Sequence, residues 1–444
     1  MKNFLGILLL LQGCMGAAQA QDALFAAIRE LPPCALVCLQ AAVVESPCSA
    51  TNVTCTCTNA PLQKAVTLCV SANCTVPEAL STKNITETLC GAPIRDKRAY
   101  FNNISNSFAA LSGVAIVLRV ISKVTTRMDF GLDDYSIFAT FIAGIPSSVL
   151  VVHGLTSNGL GKDIWTLRPN DITNYLRAFY VMEILYFLQL FLLKLSILFF
   201  YLRIFPAPSF RRILWATVVF DILFGVVFII VGIFQCNPIS YYWGQWDGLH
   251  RGKCINVNGL GWSNAVISII LDFWMLGLAI SQLLHLQLHW KKKLGVGLMF
   301  VVGTFITVVS ILRLQSLLHF AKSFNVTWDN LPVTIWSLVE INVGIICACM
   351  PSLRVLLVRL FPKVMGSTRN KSAGYHAEGS RSGIGMGANV SIGRGKDLAP
   401  PSKDSKSIMY SQSYNVDLED ESSLVQLKEL PAGYSMGRGG APSR

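Results

Sequence analysis

The sequence predicts an all-α protein in three parts: a small disulfide-stapled helical head, a seven-helix transmembrane bundle and a disordered tail. Three observations carry that prediction. Eight cysteines crowd between Cys34 and Cys90, seven apolar stretches of membrane-spanning length run from residue 101 to about 360, and a Gly- and Ser-rich segment poor in large apolar residues follows from Gly366.

The order of these parts begins with a leader. Lys2, the apolar run Phe4 to Leu11 and the small-residue step Ala18-Gln19-Ala20 predict a signal peptide over residues 1–20, so that the mature chain starts at Gln21. Cys14 leaves with it, and the head keeps an even number of cysteines that allows complete pairing in many connectivities. An apolar fraction of 52% with 14% charged residues in 444 excludes a soluble chain. The net charge of +12 gathers at span ends and in the tail, a pattern of membrane topology that calls for no nucleic-acid partner.

The spans are placed at 101–122, 135–156, 176–203, 212–234, 262–285, 295–318 and 332–358. Alternate loops hold Lys123 and Arg127, then Arg203, Arg211 and Arg212, then Lys291, Lys292 and Lys293, with Arg354, Arg359 and Lys363 after the last span. That bias predicts a plasma-membrane chain with the head outside and the tail in the cytoplasm. Glycosylation triplets fall on the same outer side, at Asn52, Asn84, Asn103 and Asn325, while cross-linking of Cys74 would hinder use of Asn73.

Within the head, Cys34 and Cys38 lie one helical turn apart and Cys69 and Cys74 are similarly close, a spacing suited to nested bridges between two antiparallel helices. A head this small buries little core, and each bridge contributes about 2 to 4 kcal/mol. Zinc is not expected. Cys55-Thr56-Cys57 lacks the two-residue spacer of a zinc ribbon, and no histidine lies between residues 21 and 152.

The opening Pro32-Pro33-Cys34-Ala35, then Cys38, Cys48, the Cys55-x-Cys57 step and the last three cysteines resemble the CFEM domain of fungal extracellular membrane proteins over residues 22–92. The resemblance implies bridges Cys34 to Cys74, Cys38 to Cys69, Cys48 to Cys55 and Cys57 to Cys90. It also implies, for members that take haem, an aspartate three residues before the fourth cysteine as the axial ligand. Asn52 stands there instead, and a neutral amide is a weak ligand for ferric iron, so neither haem nor another cofactor is expected.

Charges inside spans cost about 2.5 to 3.5 kcal/mol each at the bilayer centre and need partners. Glu183, Lys194, Asp221, Asp272, Arg313 and Glu340 are the residues concerned. Depth along each span predicts two interhelical pairs, Lys194 with Asp221 and Arg313 with Glu340, that set the register of the bundle. Cys236 and Cys254 share one outer loop and are expected to bridge each other and pin it as a lid, while Cys347 and Cys349 read as packing residues.

The bundle resembles the fungal rhodopsin-domain proteins, which include surface-sensing receptors of plant-pathogenic fungi. The stretches that carry the resemblance are Gly131-Leu-Asp-Asp-Tyr135, Gly159-Leu-Gly-Lys-Asp-Ile-Trp165, Lys194 to Phe205, Phe234-Gln-Cys-Asn-Pro238 with Trp243, and Glu340 to Pro351. It implies a receptor for an unidentified extracellular ligand or surface that signals in infection-related development, with a heterotrimeric G protein as partner. Arg203, Arg211, Arg212 and Lys291 to Lys293 then form a basic cytoplasmic face suited to coupling. No lysine between residues 331 and 358 is available for a retinal Schiff base, and no catalytic constellation points to an enzyme. The alternatives are a proton-coupled transporter lined by Glu183, Asp221, Asp272 and Glu340, and a cell-wall-facing adhesin.

Overall fold

The computed structural model describes residues 26–49, 52–285 and 290–360, and these belong to one compact unit. The expected signal peptide over 1–20 and tail over 363–444 lie outside the described residues. So do the side chains of Lys291, Lys292 and Lys293.

The head is built from short helices whose starts are written in the sequence. Helix α1 (Pro33–Val44) opens on Pro33, which lacks an N–H the first turn does not use. The Asn52 side chain caps α2 (Val53–Thr58), Asn59 caps α3 (Ala60–Asn73), and Thr75 with Glu78 forms a capping box at α4 (Val76–Leu89). The core these helices share is minimal: Ala35, Cys38 and Val70 in one patch and Ala42, Cys48 and Leu62 in another. Sulfur supplies the rest. Cys34–Cys74 and Cys38–Cys69 clamp α1 to α3, Cys48–Cys55 closes the loop into α2, and Cys57–Cys90 ties α2 to the end of α4.

Seven long apolar helices follow: α5 (Arg98–Thr126), α6 (Leu132–Val149), α7 (Pro169–Ile204), α8 (Pro208–Ile233), α10 (Val257–His285), α11 (Trp290–Phe320) and α12 (Val326–Leu360). Several start earlier than their apolar runs, because Pro169 and Pro208 open the helix before the greasy stretch begins. Helix α6 carries Pro146 and then widens into a π-helical segment over Leu150–Thr156. The loop between the fourth and fifth spans holds strand β1 (Cys236–Asn237), the short helix α9 (Tyr241–Gly244) and strand β2 (Lys253–Cys254). Cys236 faces Cys254 across the two strands and is bonded to it.

The third span, α7, is central and packs against α6, α8 and α12, while α5 closes the ring against α12. Ile116, Ile137, Leu190, Leu193, Ile341 and Ile345 form the main core at that crossing. Gly344 lets α12 approach α7 closely, since a Cβ there would run into Leu193.

Head and bundle meet through a short linker. Arg95 makes a bidentate pair with Asp163, and Asp163 also accepts from Asn325 Nδ2 at 2.7 Å, so one buried carboxylate joins the linker, the loop after the second span and the loop before the seventh. The backbone continues the joint: Lys97 N donates to Gly161 O and Gly161 N to Thr327 O, both at 3.0 Å. Arg95 and Lys97 stack on Trp328 at 4.3 and 4.9 Å, and Lys83 of α4 lies 5.6 Å from the Trp165 ring. The hydrogen bonds from Arg98 hold the Asp96 carboxyl below the usual carboxylate range.

Gly161 sits at φ +85, and a Cβ there would stand 3.4 Å from the Arg98 nitrogen and the Lys97 carbonyl carbon. Gly161→Ala is therefore expected to cost about 1 to 2 kcal/mol and to loosen the linker. Limited proteolysis of the purified chain should then cut between residues 92 and 98 faster than in the parent. An unchanged cleavage pattern would mean that this close approach does not hold the joint.

Candidate functional site

In the half of the bundle nearer the head, spans one, two, three, five, six and seven enclose a cavity of about 380 Å³. Its walls are mostly apolar, with Phe141, Ile145, Phe179, Met182 and Leu338 among them. The π-helical segment of the second span contributes Val151 and Leu155, so the widened turn shapes one wall. Glu183 and Gln189 from α7, Asn264 from α10, Arg313 from α11 and Asn342 from α12 bring charged and amide groups to it, and Tyr186 with hydroxyl side chains of spans one, two and seven adds smaller polar groups.

Gln189, Asn342 and Glu183 are each anchored differently. Gln189 donates to Ser147 Oγ at 2.7 Å, and Ser112 donates to Asn342 Oδ1 at 2.8 Å. Glu183 accepts from Gln235 Nε2 at 3.0 Å and from Tyr242 OH at 3.4 Å. Both donors belong to the segment pinned by Cys236–Cys254, so the lid reaches the cavity wall through one carboxylate.

Beneath the cavity a chain of charges crosses four helices. Tyr186 donates to Glu340 Oε2 at 2.6 Å, Arg313 Nε stands 3.2 Å from the same oxygen, and the Arg313 guanidinium lies 4.8 Å from the Tyr186 ring centre. Ser310 Oγ is 2.5 Å from Glu340 Oε1 and 3.2 Å from Asp272 Oδ2, so one hydroxyl stands between two carboxylates and serves one of them at a time. Asp272 in turn pairs with Lys194, whose ammonium also donates to Ser268 O at 3.2 Å.

This overturns one expected pair. Lys194 is matched by Asp272 on the fifth span, and not by Asp221 on the fourth. Depth along a helix gives height but not facing, and Asp272 has Ser310 beside it to complete its shell. Asp221 is fully buried with neither carboxylate oxygen hydrogen-bonded among the described residues. Arg313 and Glu340 do stand together.

At the end of the bundle away from the head, two adjacent carboxylates gather three cations. Arg119 donates to Asp133 at 2.6 Å, to Asp134 at 2.7 Å and to Ala348 O at 2.5 Å. Lys123 is 3.0 Å from Asp134, and Arg203 is 3.2 Å from Asp133 and 3.6 Å from Asp134. Asp134 also caps its own helix through Gly131 N at 2.9 Å, and Ser196 Oγ donates to Asp133 O at 2.9 Å. Arg203, expected on a free basic coupling face, is thus turned inward, because the antiparallel packing of spans two and three brings Asp133 and Asp134 to its level. Arg211 and Arg212 are exposed at the start of α8.

Sequence reasoning missed Arg119, Asp133 and Asp134. The signal was present, since Arg119 lies inside the first span and the acidic pair opens the second, but nothing in a linear pattern says that they meet.

Two expected sites on the side of the head need revision. Asn325 spends both ends of its amide, accepting from Ile164 N at 2.9 Å and donating to Asp163, so a glycan on Nδ2 would displace the carboxylate that joins head to bundle. Asn52, Asn84 and Asn103 are exposed. Asn52 Oδ1 accepts from Cys55 N at 3.0 Å, which commits the one atom that could face a haem iron to capping α2. The residues present do not fit an axial haem site. The metal-like grouping of Cys34, Cys74 and Glu78 has its two sulfurs bonded to each other.

Fold and site together define a multi-pass, seven-helix membrane protein with a disulfide-stapled helical head and an internal cavity. Residues 118–359 match the fungal rhodopsin domain and residues 27–91 the CFEM domain. The chain belongs to the fungal rhodopsin domain family and carries a CFEM domain in front of it. A SAT4 family membrane protein of Emericella nidulans is 31% identical over 213 residues, covering 46% of this chain and 52% of that protein. Satratoxin biosynthesis SC1 cluster protein 4 of Stachybotrys chartarum is 29% identical over 177 residues, 40% of this chain and 63% of its own length. The matched region thus spans less than two thirds of either relative. Receptor GIN3 of Arthrobotrys oligospora is 23% identical over 307 residues, 69% of this chain and 72% of the receptor. No solved structure matches the chain.

The corrected pairing is directly testable. Asp272→Asn leaves a buried ammonium without its counter-charge and is expected to cost about 3 to 5 kcal/mol, whereas Asp221→Asn costs far less. Thermal unfolding in detergent reads both. Equal losses would return Asp221 to the role of partner.

Proposed function

We propose that this chain is a non-catalytic plasma-membrane receptor, with its CFEM head outside the cell. It reads an extracellular or surface cue and passes it to the cytoplasm, where a heterotrimeric G protein is the partner. The observation that carries the reading is that α7 and α12 each line the cavity and each contact the ionic hub at the opposite end. On α7, Glu183 and Tyr186 line the cavity while Ser196 and Arg203 touch the hub. On α12, Asn342 lines the cavity and Ala348 O receives Arg119.

A ligand that shifts either helix within the cavity therefore changes the geometry of Arg203 and Arg119 around Asp133 and Asp134. Arg203 is the member best placed to let go, because its side chain is 21% exposed while those of Arg119 and Lys123 are 2% and 4% exposed. Exposed Arg211 and Arg212 beside it suit an acidic partner surface. The likeness to a protein named Receptor GIN3 supports the same reading.

Two measurements test it. Cyclic AMP is compared in cells on an inductive hydrophobic surface, with the intact chain or with one lacking residues 22–92. Loss of the response on deletion makes the head the sensor, and an intact response moves sensing into the bundle. No response from either chain would turn the reading toward transport or adhesion.

Arg203→Gln removes one cation from the hub without stranding a fully buried one. Taking about 1 kcal/mol from one of two states shifts their ratio about fivefold, so basal cyclic AMP should depart from that of the parent at equal surface expression. An unaltered basal level and an unaltered cue response would separate the hub from signalling.

A further inference from the structure

The cavity holds a polar feature that the ionic chain does not use up. Arg313 and Asn264 both line it, and the two residues are buried, at 4% and 2% exposure. Arg313 Nη2 and Asn264 Nδ2 have no hydrogen-bond partner among the described residues. The Arg313 Nε contact with Glu340, at 3.2 Å, is an ion pair without a well-aligned hydrogen bond. Buried donors left in this state cost about 1 to 3 kcal/mol each, more for a charged group, so the two groups favour an acceptor between them.

The two helices place these donors at one level. Spans five and six are antiparallel, a Cβ on Gly261 would stand 3.4 Å from the Leu317 side chain, and Asp272 meets Ser310 one stretch further along. Between those two contacts Asn264 falls opposite Arg313. The same lining holds apolar Phe179, Met182, Phe187 and Leu338, with Glu183 and Tyr186 among them on the third span.

We infer that the cavity binds a small apolar molecule whose carbonyl oxygen, as a neutral ester or ketone or as a carboxylate, is held by Arg313 and Asn264. The apolar body fills the wall formed by spans three and seven, and the oxygen supplies the acceptor these donors lack. Glu340 remains the counter-charge of Arg313, so a ligand oxygen that draws the guanidinium toward the cavity loosens the first link of the chain to Ser310, Asp272 and Lys194. The inference deepens the receptor reading by naming its ligand class. Its test measures binding alone, so that its failure would leave the cyclic AMP result untouched.

The full chain in lipid nanodiscs is titrated with methyl octanoate, octanoate and octane, and helix melting is followed by circular dichroism. The esterified or ionised acid is expected to raise the melting temperature saturably, while octane, which lacks an acceptor, does not. Asn264→Leu keeps the volume but removes a donor, and Arg313→Lys keeps the charge opposite Glu340 but removes Nη2. Each variant should bind the effective probe about tenfold more weakly. If octanoate acts more strongly than the ester, the carboxylate form is the ligand class, and if the ester alone acts, the neutral form is. Equal stabilisation by octane and methyl octanoate, or unaltered binding in both variants, would overturn the inference.

Discussion

Lys194 and Arg313 carry their charges into the apolar interior of this bundle, each is met by a carboxylate from another helix, and those two matches organise the spans. Lys194 cannot remain bare in a low-dielectric interior, and Asp272 meets it from the fifth span. Glu340 of the seventh span meets Arg313 of the sixth. Ser310 lies between the two carboxylates and couples the pairs, so the third, fifth, sixth and seventh helices have one mutual register. At the far end Asp133 and Asp134 do the same for the first, second and third spans with Arg119, Lys123 and Arg203. Helices whose outward faces are uniformly greasy gain specificity from these matches more than from apolar packing, which tolerates rotation.

The same economy of charge explains the stretch from Gly159 to Trp165. Its glycines permit a turn that passes within van der Waals distance of the linker backbone, its aspartate holds Arg95 and Asn325, and its tryptophan receives Lys83. A stapled head with little core of its own is thereby seated on the bundle by side chains from three separate loops. The starts of the first and seventh spans share this joint, because Lys97 and Thr327 are bonded to the same glycine.

The third and seventh helices run from the cavity to the hub. Gly344 allows them to approach closely, Leu193 fills the space, and both carry cavity residues and hub residues along their lengths. The π-helical turn of the second span adds the third ingredient, a local widening that leaves room beside them.

Much of this was legible in the order of residues. Eight cysteines in a short segment with an even count make a stapled head, and runs of apolar residues near twenty long make spanning helices, because both follow from local composition and chain length. The starts of helices at Asn52, Asn59, Thr75, Pro169 and Pro208 also have local causes, since a cap or a proline acts within one turn, but apolar runs alone placed the third and fourth spans later, at 176 and 212. The intramembrane charges stood out for the same reason of composition. Which of them meet was decided by tertiary structure alone: depth along a helix does not specify its rotation, so the depth match that chose Asp221 for Lys194 missed Asp272. Arg203 looked like a free surface cation until the start of the second span was placed beside it, and Asn325 looked like a glycan site until its amide was seen to hold Asp163. Pairing between distant helices depends on how their faces are turned toward each other, and that is a property of the packed bundle rather than of any stretch of the chain.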